Sequence, residues 1–467
     1  MKIRPTYRHP RATQYRAPGG PWDVPALPAV VGTEPEVANG LRAAGVRRGD
    51  VVAWQAPNWP EVPALYRACW QLGAIAAPLH HQAGTAETER LVRTLDPKLF
   101  LASDEVKAQV AAWQSGGAYP AVHARGSDIA AILWTGGSEG VPKGVLQTHR
   151  GLVHKARTMA HAHGLGPTDV VLMPAPLAHI SGLLNGVLVP AAAGMRVVLM
   201  ERWNPEAALD LIEREHITFM VGPPTFFVGL MGAPAFNSTR VASLRLVSSG
   251  GAGVTPAFVE EATVRLGATV KRSYGSTEAP TLTTSTVADP VSRARDTDGR
   301  VVDGASLRIA DDGELLVQGP ELFAGYLDAE QTRAAVNNGW FHTGDLATLD
   351  GGWLTIVGRK KDVIIRAGEN ITASEIERIL EAHPSVREAV AVGAPDARLG
   401  EQVCVFVVGD PTFDLDTCRA WFVTRGVARF KTPERIEHVE HLPTLPAGKV
   451  DRAALRATAA ESAGVEG

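Results

Sequence analysis

Asn204-Pro-Glu-Ala-Ala-Leu-Asp-Leu-Ile-Glu-Arg-Glu-His-Ile-Thr-Phe-Met-Val221 reads as one helix followed by one strand. Asn204 is a good N-cap. Pro205 falls on the first helical position, where its fixed φ fits and its missing N–H leaves nothing unsatisfied. The helix is expected to run to about His216, and the apolar run Ile217 to Val221 then reads as a buried strand. The unit repeats. Leu244 to Val247 reads as a strand ending in Ser-Ser-Gly-Gly, Thr255-Pro256 opens a helix to Leu266, and Ala268 to Lys271 is the next strand. Helices alternating with strands predict an α/β fold, with a mostly parallel sheet covered on both faces.

A chain of 467 residues exceeds one ordinary core and should divide into at least two domains. A smaller unit begins after Gly358. There Thr372-Ala-Ser-Glu375 has the form of a capping box, Ile376, Ile379 and Leu380 make one apolar helix face, and His383-Pro384 stops the helix. Two strands follow, Val386 to Val392 and Gln402 to Val408, which suggests a small α+β domain. Hydrophobic residues are 45%, charged residues 21% and the formal charge is −4, so composition points to a globular protein and to no nucleic-acid partner. Cys69, Cys404 and Cys418 lie too far apart for a metal or CxxC motif and read as buried thiols in a reducing cytoplasm. The basic N-terminus is broken by Pro5, Pro10 and Pro18 and lacks an apolar core, unlike a signal peptide. Gly182 to Met200 is the most apolar stretch. Asn185, Pro190 and Arg196 within it argue for a core segment and against a membrane span.

Five motifs carry chemistry. Trp134-Thr-Gly-Gly-Ser-Glu-Gly-Val-Pro-Lys-Gly144 suits a loop that wraps a polyphosphate: glycines expose backbone N–H groups, Thr135 and Ser138 donate, and Lys143 supplies charge. It is not a Walker loop, because Gly144 follows the lysine. Ser273-Tyr-Gly-Ser-Thr-Glu278 follows a predicted strand, where ligands of parallel sheets bind. Tyr274 suits a base, Thr277 a phosphate oxygen and Glu278 a Mg²⁺ ion. Trp340-Phe-His-Thr-Gly-Asp345 offers a carboxylate, Gly358-Arg-Lys-Lys-Asp-Val-Ile-Ile-Arg-Ala-Gly-Glu-Asn-Ile371 a basic run at the domain boundary, and Pro443-Thr-Leu-Pro-Ala-Gly-Lys449 a single lysine on a fixed loop. Each alone is equally a surface turn or a solvated face.

In this order and spacing the five resemble the adenylate-forming superfamily of acyl-CoA synthetases, adenylation domains and beetle luciferase. The resemblance begins at Gly49-Asp-Val-Val-Ala-Trp-Gln-Ala-Pro-Asn58, passes through Gly73-Ala-Ile-Ala-Ala-Pro78 and ends at Arg452. It implies a large N-terminal domain over residues 1–360 that binds ATP and the acyl group, and a small mobile domain over 361–467 that carries the catalytic lysine. By resemblance, Thr135, Gly136, Gly137, Ser138, Gly140 and Lys143 embrace the β- and γ-phosphates. Gly250, Gly251, Ala252 and Tyr274 wall the adenine slot, Ser273 and Gly275 belong to the same ATP/AMP-binding set, and Thr277 meets the α-phosphate. Glu278 holds Mg²⁺, Asp345 and Arg359 clamp the ribose, Lys361 is the hinge, and Lys449 bridges carboxylate and α-phosphate during adenylation. His179, in Pro176-Leu-Ala-His-Ile180, lines the acyl site and gates thioester formation. Ala367 and Gly368 border the passage for coenzyme A, with Ala367 in place of one glycine of a pair. Gly136 and Glu139 depart from the family's usual Ser and Thr, and a carboxylate beside a triphosphate is unfavourable unless it turns away or shares the metal.

Ile180, Leu183, Phe226 and Phe227 fall in segments resembling the acyl pocket and are apolar. No acidic residue lies between Pro174 and Asn185, where amino-acid-activating relatives carry an Asp. The expected reaction is ATP-dependent activation of a hydrophobic monocarboxylic acid and its transfer to coenzyme A. Transfer to an acyl carrier protein, and nucleotide binding without turnover, remain open alternatives; a luciferase-like oxygenase fits poorly.

Overall fold

A computed structural model describes residues 27–119, 124–135, 142–251, 253–302, 304–396, 398–444 and 450–463. Among them three sheets organise the chain. The first has six strands in the order Gly325–Tyr326, Lys143–Thr148, Ile129–Thr135, Ile75–Leu79, Val51–Gln55 and Leu99–Leu101. The last four are mutually parallel, and the first two are added antiparallel at one edge.

The second sheet holds the helix–strand repeat. Its parallel part runs Thr269–Tyr274, Leu246–Gly250, Phe219–Gly222, Val170–Met173 and Arg196–Leu199. Asn204 caps Pro205–Glu215 by accepting from the Ala207 N–H at 2.9 Å, and Thr255 caps Pro256–Leu266 through Phe258 at 3.2 Å. An antiparallel extension, Thr283–Thr284, Arg300–Val301, Trp353–Arg359, Trp340–Asp350, Glu314–Gln318 and Ser306–Ile309, lengthens this sheet at its other edge.

Two strands lie further along the chain than expected. The one expected at Leu244 to Val247 is Leu246–Gly250, and the one expected at Ala268 to Lys271 is Thr269–Tyr274. Ser248 and Ser249 are buried within the first because neighbours satisfy them: Ser248 Oγ donates to Ser273 Oγ at 3.3 Å and Ser249 Oγ to the Gly222 carbonyl at 3.2 Å. Ser273 and Tyr274 therefore end a strand instead of following one. The apolar stretch after His179 is helical and buried, with a π-turn at Leu184–Leu188, and feeds the strand Arg196–Leu199. No helix of the described residues is long and apolar enough to cross a membrane.

The third sheet belongs to the C-terminal unit and contains Glu369–Thr372, Val363–Arg366, Gly400–Gly409, Val386–Asp396 and Arg435–His438. Ile371, Ile376, Leu380, Val403, Val405, Val407 and Phe422 form its core against Ala373–Glu381. The capping box does not form. The Thr372 side chain makes no capping bond, Ser374 Oγ donates to the Val357 carbonyl, and Glu375 pairs with Lys431 Nζ at 2.6 Å. A full charge partner outbids the backbone N–H for that carboxylate. Cys69, Cys404 and Cys418 are buried free thiols.

Candidate active site

The carboxyl ends of Leu246–Gly250 and Thr269–Tyr274 meet the long antiparallel strands of the same sheet. Asp345 lies there, 3% exposed, accepting the Tyr274 hydroxyl at 2.7 Å on Oδ2 and Arg359 Nε at 2.6 Å on Oδ1. Asp345 and Arg359 are register partners across Trp340–Asp350 and Trp353–Arg359, so the sheet fixes the ion pair. Burial, followed by the adjacent Asp345 charge, raises the Tyr274 phenol well above its usual range, keeping it a donor. Gly250 faces Ser273 in the ladder, and a Cβ on it would stand 2.3 Å from the Ser273 carbonyl oxygen. Gly275 is equally confined, 2.3 Å from the Thr281 nitrogen. Glycine at both positions lets the backbone close up beneath Tyr274. Gly251 follows in the left-handed region at φ 77°.

Thr135 and Lys143 are the last paired residues of their antiparallel ladder, so they stand at the two feet of the loop between them. Gly136, Gly137, Ser138, Glu139 and Gly140, with Ala252 and Lys449, lie outside the described residues. The base of the Lys449 loop is closed by a bridge between Thr444 and Val450. Glu278, 9% exposed, accepts the Tyr326 hydroxyl at 2.8 Å, and the Lys143 ammonium lies 5.1 Å from the centre of the same ring. Gln147 Nε2 donates to the Thr277 carbonyl at 2.5 Å. Below, the buried Lys155 ammonium holds the Thr281 carbonyl at 3.2 Å and Glu321 at 3.4 Å. The strand ends at Lys143, Tyr274 and Arg359, the loop that carries Thr277 and Glu278, and the middle of Trp340–Asp350 at Asp345 thus lie on one side of the large unit.

His179 heads the segment Ile180–Leu183, and residues far back in the chain fix its approach. Asn58 Nδ2 donates to the Met173, Ala175 and Met200 carbonyls at 3.3, 2.9 and 3.1 Å, and its Oδ1 accepts the Leu177 N–H at 2.8 Å. Tyr66 donates to the Leu177 carbonyl at 2.8 Å. Of the apolar set, Ile180 is partly buried, Leu183 is fully buried in the main core, and Phe226 stacks on Trp203 with ring centres 4.6 Å apart. Phe227 is fully buried in the core, with its ring 6.3 Å from Phe258.

Lys361 lies in the short turn Lys360–Asp362 between the second and third sheets. Its two neighbours are tied to different bodies. Lys360 Nζ reaches back to Asp312 at 2.7 Å and Glu314 at 3.1 Å, whereas Asp362 pairs with Arg456 of the C-terminal helix Arg452–Ala463. Ala367 and Gly368 form the exposed two-residue turn between Val363–Arg366 and Glu369–Thr372, with φ of 49° and 87°. Both residues of such a hairpin turn need positive φ, which glycine adopts freely and alanine only with strain.

Tyr326, Gln147, Asn58 and Tyr66 were not readable from the sequence. The role of each arises from contacts more than a hundred residues away, or 48 for Tyr326.

A family model described as AMP-binding enzyme matches residues 35–327, and one described as AMP-binding enzyme C-terminal domain matches residues 375–449. The medium-chain fatty-acid–CoA ligase of Escherichia coli (strain K12) is 32% identical over 472 residues, covering 90% of this chain and 83% of that protein. A feruloyl-CoA synthase of Amycolatopsis sp is 33% identical over 448 residues, covering 90% and 91%. The crystal structure of ATP-bound MatB from Rhodopseudomonas palustris superposes with a TM-score of 0.84 at 28% identity, covering 91% of both chains. The chain belongs to the AMP-binding, adenylate-forming enzyme family. Within it the protein is an acid–thiol ligase of the AMP-forming acyl-CoA synthetase type.

Proposed function

We propose that the protein activates a hydrophobic monocarboxylic acid, whether fatty, alicyclic or simple aromatic, as its acyl-adenylate and transfers the acyl group to coenzyme A. The observation that carries this reading is the convergence of Asp345, Tyr274 and Arg359 with Glu278 and Lys143 at the strand ends. Asp345 suits a ribose diol, which would accept from neither Tyr274 nor Arg359 but donate to the carboxylate they orient. Tyr274, with Gly250, Gly251 and Ala252, suits the adenine. Thr135 to Lys143 suits the β- and γ-phosphates, and Thr277 the α-phosphate. Glu278 fits Mg²⁺ by its chemistry, a buried carboxylate held by the Tyr326 hydroxyl; Mg²⁺ when bound would neutralise phosphate charge.

The chemical problem is one of charge. An anionic carboxylate must attack an α-phosphate that is already negative. Lys449 supplies the positive charge between the two and holds them in line, and pyrophosphate leaves. The mixed anhydride is then reactive enough to acylate a thiol. His179 heads the acyl segment and gates that second step, with Ile180 and Phe226 contributing apolar surface while Leu183 lies in the core. The Ala367-Gly368 turn borders the thiol's approach. The division between residues 360 and 361, with Lys361 as the pivot, lets one small domain serve both steps.

Pyrophosphate release against a panel of acids, with and without coenzyme A, tests the reading. The expected result is release with apolar acids and acyl-CoA formation only when coenzyme A is present. Release without acyl-CoA formation would overturn the acceptor, and ATP binding without release with any acid would overturn the whole assignment.

A further inference from the structure

The strand Ile75–Leu79 ends in His80-His81-Gln82, and its imidazoles run directly into His179. The His80 and His81 rings are stacked with centres 4.7 Å apart and planes at 27°, and the His80 and His179 centres are 5.1 Å apart. The loop is held through its backbone: Gln55 Nε2 donates to the His80 carbonyl at 3.1 Å and to the Ala83 carbonyl at 2.9 Å. His80 Nδ1 accepts the Gln82 N–H at 3.1 Å. In a neutral imidazole the other nitrogen then carries the proton. That Nε2–H is buried and meets no acceptor among the described residues, and both ring nitrogens of His81 are likewise buried without a partner. Buried polar atoms in folded proteins are almost always satisfied, so a cluster of such atoms beside a substrate site calls for a ligand.

The chemistry of that ligand can be narrowed. Burial, then His179 and His81, push His80 down to about 3, and burial followed by Arg202 lowers His81 against the opposing Glu201 charge. Both are neutral at working pH, and His80 is too weak a base to take a thiol proton. No three His, Cys, Asp or Glu side chains among the described residues are placed to hold a metal ion. A neutral donor in a desolvated pocket matches an uncharged oxygen better than an anion, whose own desolvation it would not offset.

We propose that the cluster of His80, His81 and His179 is a specificity site for an uncharged carbonyl or hydroxyl oxygen of an organic substrate, with His80 Nε2–H as the donor. The proposal rests on reading His179 as lining the acyl site. Two sources share the chemistry: an oxygen on the acid remote from its carboxyl, or an amide oxygen on the arm of the thiol.

The test uses the full-length enzyme with its two half-reactions timed separately. His80→Phe keeps a stacked ring and removes the donor; His80→Gln keeps an N–H donor. Matched acids with and without a remote keto or hydroxyl oxygen are compared in pyrophosphate release. If the acid is the source, the wild type prefers the oxygenated acid, His80→Phe loses about 5–10-fold of that preference, and His80→Gln retains part of it. If the thiol is the source, His80→Phe raises the KM for coenzyme A by a similar factor, His80→Gln raises it less, and adenylation is unchanged. The KM for ATP stays constant in either case and reports an intact fold. The proposal is overturned if His80→Phe matches the wild type in acid preference and in KM for coenzyme A, or if the KM for ATP rises in step. It also fails, independently of whether His80→Phe folds, if the wild type shows no preference within any matched pair and His80→Gln raises the KM for coenzyme A as much as His81→Phe does. Absence of pyrophosphate release by the wild type with every acid would instead sink the wider functional reading.

Discussion

Tyr326 donates its hydroxyl to Glu278 Oε1 at 2.8 Å while its ring lies 5.1 Å from the Lys143 ammonium. One aromatic side chain therefore spans the distance between the foot of the loop proposed for the phosphates and the carboxylate proposed for Mg²⁺. It can do so because Gly325–Tyr326 pairs antiparallel with Lys143–Thr148, setting Tyr326 opposite Val145. Burial, then the Glu278 charge, raises the Tyr326 phenol above its ordinary range, so it donates throughout the physiological range.

Tyr326→Phe should keep the ring under Lys143 and release the carboxylate. Removing a hydrogen bond that orients a metal-binding carboxylate costs about 10–100-fold in metal affinity, so the Mg²⁺ concentration needed for half-maximal pyrophosphate release should rise about tenfold or more. Titrating Mg²⁺ at saturating ATP checks this. An unchanged midpoint would show that Tyr326 serves the fold and not Glu278.

The alternation around Asn204 and Thr255 was legible because both caps form as their residue types dictate. The antiparallel extension of the second sheet was not, since strands as short as Thr283–Thr284 and Arg300–Val301 carry no periodicity. The candidate site could be proposed where glycine and charge cluster in the chain, as at Thr135 to Lys143, of which residues 136–141 lie outside the described residues, and at Ser273 to Glu278. Asp345 and Arg359 come 14 residues apart, yet only the hairpin register sets them face to face. Asn58, Tyr326 and His80 were hidden because their neighbours in space come from other parts of the chain. Thr372-Ala-Ser-Glu375 shows the converse, a sound local signal overridden by the Lys431 charge.

Stability should depend on pH through Glu381. Burial, followed by the nearby Glu377 carboxylate, pushes Glu381 from 4.5 up to about 7. The folded state therefore holds a proton that the unfolded chain releases. No cost exists below the unfolded value; it grows as pH rises and is complete above the folded value. Glu381→Gln should stabilise the C-terminal unit by about 1–3 kcal/mol near pH 8 and have little effect near pH 4. Its amide oxygen can still accept the Ala389 N–H, 3.4 Å away in the parent. Urea unfolding at the two pH values measures the difference, and an equal gain at both would rule out the titration.

Lys449→Ala should separate the two half-reactions by chemistry. Removing one preorganised charge from a developing negative centre costs about 10²–10³-fold, so adenylation should fall by at least that factor. Thioester formation from supplied acyl-adenylate should continue at the parent rate. The loop is closed by the Thr444–Val450 bridge, so the truncation should leave thermal stability unchanged. Equal losses in both halves would mean that Lys449 has no special part in adenylation.

Lys361→Pro should separate them by motion. Lys360 is bound to Asp312 and Glu314 of the large unit, and Asp362 to Arg456 of the small one, leaving the backbone of Lys361 as the link between two anchored neighbours. The turn Lys360–Asp362 is a 3₁₀ turn, whose φ near −60° is one that proline accepts. Proline should therefore fit the arrangement seen here and forbid any that needs a different φ at residue 361. Its cost to stability should be small, because the first N–H groups of a helical turn have no partner within the turn itself. The expected outcome is a variant that retains one half-reaction and slows the other at least tenfold; the retained half is expected to be adenylation. Single-turnover measurement is required, since a steady-state rate mixes the two. Parent rates in both halves would show that rotation at Lys361 is not part of the cycle.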